Sequence, residues 1–188
     1  MKLSFKILRW LLVSLLVVLL IFSTDSLGAE STSERAVEAS NSDGLLLIAY
    51  VLLALVVSFL CSIAESVLLS ITPTYIEGQK ENRPNHAALL KRLKQDNVDR
   101  SLAAILTLNT IAHTVGAIGA GAKATAVFGS AWFGLFSAVM TLLILFLSEI
   151  VPKTIGVIYW SRLVVPMAFF INILIMVLYP IVWISEKL

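Results

Sequence analysis

The sequence predicts an all-α membrane protein, and three observations carry that prediction. Of its 188 residues, 59% are hydrophobic and only 14% are charged, more apolar surface than a water-soluble domain of this length can hide. The charges leave four uncharged gaps, from Asp43 to Glu65, Arg100 to Lys123, Lys123 to Glu149 and Arg162 to Glu186. Each gap can hold a helix of about 20 residues, the length that crosses a hydrocarbon core.

The same composition excludes other classes. Fourteen basic and twelve acidic residues leave a net charge of +2, too small for a nucleic-acid partner. Cys61 is the single cysteine and lies in an apolar run, so neither a disulfide framework nor a Cys/His zinc cluster can be built.

Taken in order, the chain opens with Lys2, Lys6 and Arg9 before a short apolar run and the small residues Ser26-Leu27-Gly28. This is the pattern of a secretory signal peptide over residues 1–28, with a retained N-terminal hydrophobic helix as the alternative. Residues 29–43 follow as a Ser-rich, acidic extracytoplasmic lead-in, expected to be disordered. A membrane domain then occupies residues 44–188. Its first segment, 45–71, ends at Thr72-Pro73.

Residues 74–100 hold Lys80, Arg83, Lys91, Arg92, Lys94 and Arg100, the basic cluster between the hydrophobic segments. The positive-inside rule makes this stretch a cytoplasmic loop. Ile76, Ala87, Leu90 and Leu93 recur in it at helical spacing, which predicts an amphipathic stretch along the inner membrane surface.

The second segment, 101–122, carries Ala112, Gly116 and Ala120 at intervals of four, a face that lets another helix come close. The third, 131–151, begins with Trp132 and Phe133 as an interfacial anchor. The fourth, 163–184, is interrupted by Pro166, Asn172 and Pro180 and flanked by Trp160, Arg162, Trp183 and Lys187. Hydropathy leaves open whether it spans or lies in the inner leaflet.

Polar residues inside such segments cost free energy unless they are paired, solvated or liganded. Ser58, Ser62 and Ser66 share one face of the first segment, with Glu65 beside them. Asn109 and His113 lie four apart in the second. Ser137, Thr141, Ser148 and Glu149 lie in the third. At 1.5 Å per residue, Ser62 and Asn109 each sit roughly 13–17 Å from the loop end of their helices. Glu149, about 27 Å along the third helix from its far end, falls near the same level.

A carboxylate at a helix centre carries an insertion cost of about 2.5–3.5 kcal/mol, so Glu149 is expected to face protein or water. An ion pair with Lys153 is the structural alternative. Pro152 has no amide proton, which frees the carbonyl of Ser148 beside that carboxylate. Oxygen ligands of this kind suit a hard cation, Mg2+ or Ca2+. No nucleophile elbow, His-Glu-x-x-His motif or serine-lysine pair is present, so no enzyme is expected.

Three short motifs extend this reading. Ser62-Ile63-Ala64-Glu65, Leu108-Asn109-Thr110 and Ser148-Glu149-Ile150-Val151-Pro152-Lys153 resemble, in order and spacing, the signatures of the DUF21 transmembrane domain of the CorC/CorB and cyclin M (CNNM) magnesium transport family. The resemblance covers residues 45–188. It implies three transmembrane helices plus a juxtamembrane, interfacial helix, in which case residues 163–184 form a belt and not a fourth span.

It further implies a homodimer in the plasma or inner membrane, with the N-terminus outside and the C-terminus cytoplasmic. Mg2+ would bind in an inward-facing cavity through Ser62, Asn109 and Glu149, with Glu65, His113 and Ser148 as secondary polar contacts. Efflux coupled to Na+ entry, and a CBS-domain or other cytosolic partner, belong to the same expectation. His113 departs from the polar amide usual in the family and Ser148 from the usual glycine, which bears on ion choice and coupling. A non-transporting membrane anchor or regulatory subunit for a partner protein is the competing reading.

Overall fold

The computed structural model describes residues 36–179, with side chains from Ser42 onward. The signal-peptide segment 1–28, the start of the lead-in, and Pro180, Trp183 and Lys187 lie outside the described residues. The chain divides into two compact units, Met1–Ala39 and Ser40–Leu188; the description below concerns the second.

Every regular element among the described residues is helical. Helix α1 is Ala36–Ser70. It begins inside the segment expected to be disordered, and Asp43 is held there by Lys123, 2.8 Å away. It stops where Pro73 forbids helical geometry to the residue before it. Thr72 is accordingly extended and caps α2, Pro73–Gln79, by accepting from the Tyr75 N–H at 3.3 Å.

Helix α3, Pro84–Lys91, also starts on a proline, a residue preset for the first helical turn. It runs into a π-helical segment, Arg92–Asp96. The Ser101 hydroxyl donates to the Leu93 carbonyl at 2.9 Å, which fastens this loop to the start of α4, Val98–Phe128.

Ile76, Ala87, Leu90 and Leu93 are all buried, at 2% exposure or less. The amphipathic spacing is therefore real, but its apolar stripe faces protein and not the membrane surface. The cover includes α7, Trp160–Val177. Trp160 meets Tyr75 edge-on, with ring centroids 4.9 Å apart, and Phe169 meets His86 at 5.8 Å. Pro166 sits inside α7 without ending it, and the helix stops at Leu178, ahead of Pro180.

Gly129, at a φ of 83°, turns the chain out of α4, a conformation glycine adopts at little cost. A 3-10 turn, Ser130–Trp132, leads into α5, Phe133–Leu143, then a π-helical segment, Ile144–Ile150, then α6, Val151–Ile158. These pieces follow one another as a single hydrophobic stretch, Ser130–Ile158. Among the described residues, four stretches are long and apolar enough to cross a membrane: Ser42–Ser70, Val98–Phe128, Ser130–Ile158 and Trp160–Val177.

At the end away from the basic loop, α1 and α4 approach closely. A Cβ added at Gly116 would stand 2.5 Å from the Cβ of Ala54, and one at Gly119 would stand 2.5 Å from the Tyr50 ring. Leu47, Ala120, Ala124 and Met140 continue this contact as a buried cluster, backed by Phe136 and Leu143. The four-residue spacing of Ala112, Gly116 and Ala120 thus does what small residues do between membrane helices. The rest of the third stretch is exposed or half-buried, and its buried residues are Met140, Ser148, Pro152 and Gly156.

Candidate cation site

The site begins with a defect in the third stretch. Pro152 removes one amide donor and its ring crowds the carbonyl four residues back. The helix widens to π geometry just before it, and the Val151 N–H bonds to the Phe146 carbonyl, five residues back. Such single wide turns inside α-helices recur at functional sites.

The carbonyl left over is that of Ser148, and α1 supplies its partner. The Ser62 hydroxyl donates to it at 2.7 Å, and both residues are buried. The Ser148 hydroxyl donates to its own helix, at the Ile144 carbonyl, 2.7 Å away.

The other serines on that face of α1 are differently used. Ser66 donates back to the carbonyls of Ser62 and Ile63, at 2.9 and 3.0 Å. Gly156 of α6 lies directly on Ser66, where any Cβ would overlap the hydroxyl. Only glycine admits that approach. Ser58 is fully buried, and its hydroxyl has no partner among the described residues.

Helix α4 brings the second set. His113 Nδ1 stands 3.8 Å from Glu149 Oε1, with the two side chains 23% and 34% exposed. That separation is too long for a hydrogen bond. One turn earlier on the same helix, Oδ1 of Asn109 is buried and, like Nε2 of His113, has no hydrogen-bond partner among the described residues. An unmet buried acceptor costs about 1–3 kcal/mol, so its retention calls for a reason.

A third pair closes the loop side. Lys153 reaches Glu65 at 3.5 Å, so the lysine weighed as the alternative partner for Glu149 sits on another carboxylate. Glu149 is left with His113.

Of the sequence-selected residues, three make direct contacts between helices: Ser62 to the Ser148 backbone, His113 to Glu149, and Glu65 to Lys153. Asn109 shares the His113 face of α4 and offers a free oxygen. Among the described residues, no three of His, Cys, Asp and Glu gather as a metal-binding cluster. Any cation here would therefore depend on neutral donors beside one carboxylate. Hydropathy reading missed the π turn, the Glu65–Lys153 pair and the seat of Gly156; Pro152 was the one signal that pointed at the first.

Comparison with known proteins agrees with the motifs. Residues 47–188 match the model of the cyclin M transmembrane N-terminal domain. A UPF0053 protein of Synechocystis is 33% identical over 142 residues, which cover 76% of this chain and 41% of that protein. A chloroplastic DUF21 domain-containing protein of Arabidopsis thaliana is 33% identical over 111 residues, 59% of this chain and 16% of the relative. The chain thus spans less than half the length of either.

Proposed function

The chain belongs to the cyclin M transmembrane-domain family, and on that premise we propose that it is the ion-carrying membrane part of a divalent-cation transporter, with Mg2+ as its cargo. The observation that carries the reading is the Ser62–Ser148 bond across two helices, with Glu149 next in the chain and the acceptor of Asn109 unclaimed nearby. Glu149 supplies the negative charge. Asn109 supplies an amide oxygen.

Ser62 uses its proton on the Ser148 carbonyl, which leaves its own lone pairs turned to the site. Water fills the remaining octahedral positions, as Mg2+ prefers because it dehydrates reluctantly. Lys153 is held on Glu65, which leaves Glu149 free of a lysine partner. Each of these residues binds or orients; none needs to react.

The basic stretch 74–100 faces the cytoplasm in this reading, by the positive-inside rule. Helix α7 then lies along the inner leaflet as the belt of a three-span domain. Its support is that both Trp160 and Phe169, nine residues apart along one helix, touch the loop helices. Na+ as coupling ion, a homodimer, and a CBS-type cytosolic partner complete the proposal.

The test is titration of the detergent-solubilised protein with Mg2+, alongside flux into proteoliposomes. Glu149→Gln should abolish the binding heat and the flux while the protein stays folded. Unchanged binding overturns the site. The anchor reading draws on the exposed face of the third stretch and on the open groove over Asp99, Leu106 and Thr110 of α4. Absence of Mg2+ flux together with a co-purifying protein would favour it.

A further inference from the structure

Resting on that cation-site reading, we propose that His113 adds an imidazole nitrogen to the site, so that it accepts a borderline first-row dication such as Mn2+, Co2+ or Zn2+ as well as Mg2+. Three features of the geometry carry this. First, the spacing is that of two ligands of one ion. Two atoms each about 2.1 Å from a metal lie about 3.4 Å apart at the tetrahedral angle and about 3.0 Å apart at a right angle. His113 Nδ1 and Glu149 Oε1 are 3.8 Å apart, so a closure of about 0.4 Å at the tetrahedral angle, or about 0.8 Å at a right angle, lets one ion hold both.

Second, neither nitrogen of the ring is committed. Among the described residues, Nδ1 has only the carboxylate, beyond hydrogen-bond reach, and Nε2 is buried without a partner. Ordinary packing histidines satisfy both nitrogens. Third, the neighbouring donors are placed to complete a mixed set. Asn109, one turn away on the same face, carries an unclaimed oxygen, and the Ser148 carbonyl is held beside Glu149 by Ser62.

Nitrogen changes the choice of ion. Mg2+ takes oxygen almost exclusively, whereas imidazole suits the later first-row metals. Along the series from Mn2+ to Cu2+ the affinity for a given site rises anyway. The diagnostic quantity is therefore the part of the preference that vanishes with the imidazole.

The experiment titrates the full chain in detergent with Mg2+, Mn2+ and Co2+, for wild type, His113→Asn and Glu149→Gln. His113→Asn should weaken Co2+ and Mn2+ by at least about tenfold, the loss typical when a metal site loses a supporting group, and leave Mg2+ within about threefold. Pulsed electron paramagnetic resonance of bound Mn2+ should show coupling to nitrogen in wild type. The coupling should persist in His86→Asn and disappear in His113→Asn. Equal losses for all three metals, or no nitrogen coupling in wild type, overturn the inference while Glu149-dependent binding still stands. Binding that survives Glu149→Gln removes the site itself, and with it the reading beneath.

Discussion

The two halves of the helix bundle are built on opposite rules. Towards the end away from the basic loop, α1 and α4 touch through Ala54, Gly116, Tyr50 and Gly119, with Leu47, Ala120, Ala124 and Met140 filling the remaining space. Nothing polar is buried in that cluster. Towards the loop, α1 buries Ser58, Ser62 and Ser66 and the third stretch buries Ser148, and several polar atoms have no partner among the described residues. Close packing of small residues is what holds membrane helices together. The polar half spends some of that stability on groups poised for a ligand, a pattern expected where function overrides local consistency.

Substitutions can break this contrast. Gly116→Leu has the largest expected effect. Its side chain must enter space already held by Ala54, and overpacking of this kind costs about 3 kcal/mol at the upper end of its usual range. Unfolding in a denaturing detergent titration should shift accordingly, with cation binding lost in parallel.

Ser62→Ala should cost less, about 1–2 kcal/mol, because it strands the buried Ser148 carbonyl. Here the binding heat for a divalent ion should fall by more than the stability change alone accounts for. If binding is untouched, the polar half is only structural glue.

Asp43→Asn should be smallest, about 0.2–1 kcal/mol, because the pair with Lys123 is partly exposed. The loss should shrink in high salt, and cation affinity should not move. A change in affinity from so far away would mean that the two halves are coupled.

Much of this arrangement could be read from residues alone. The charge gaps marked the long apolar helices, and Thr72-Pro73 marked the end of the first. The spacing of Ala112, Gly116 and Ala120 found a true contact face, because small residues at intervals of four leave a groove whatever fills it. Pro152 announced a free carbonyl at Ser148, since that follows from covalent structure.

What stayed hidden was how each helix is rotated about its axis. Depth along a helix follows from counting, but azimuth depends on the neighbours. Hence Lys153 lies on Glu65 and not on Glu149, and Glu149 meets His113. For the same reason Ile76, Ala87, Leu90 and Leu93 showed the right periodicity while the surface that covers them, α7, could not be inferred. Periodicity tells which residues avoid water, not whether lipid or protein replaces it.

The proline at 152 has a consequence beyond its own turn. It leaves an acceptor that only another part of the chain can satisfy, and Ser62 is the donor that answers. Restoring an amide at 152 would leave the serine without a client; removing the serine would leave the carbonyl stranded. Positions 62 and 152, ninety residues apart in sequence, are therefore expected to change together over evolutionary time. Anyone transplanting this site into another scaffold would have to move both.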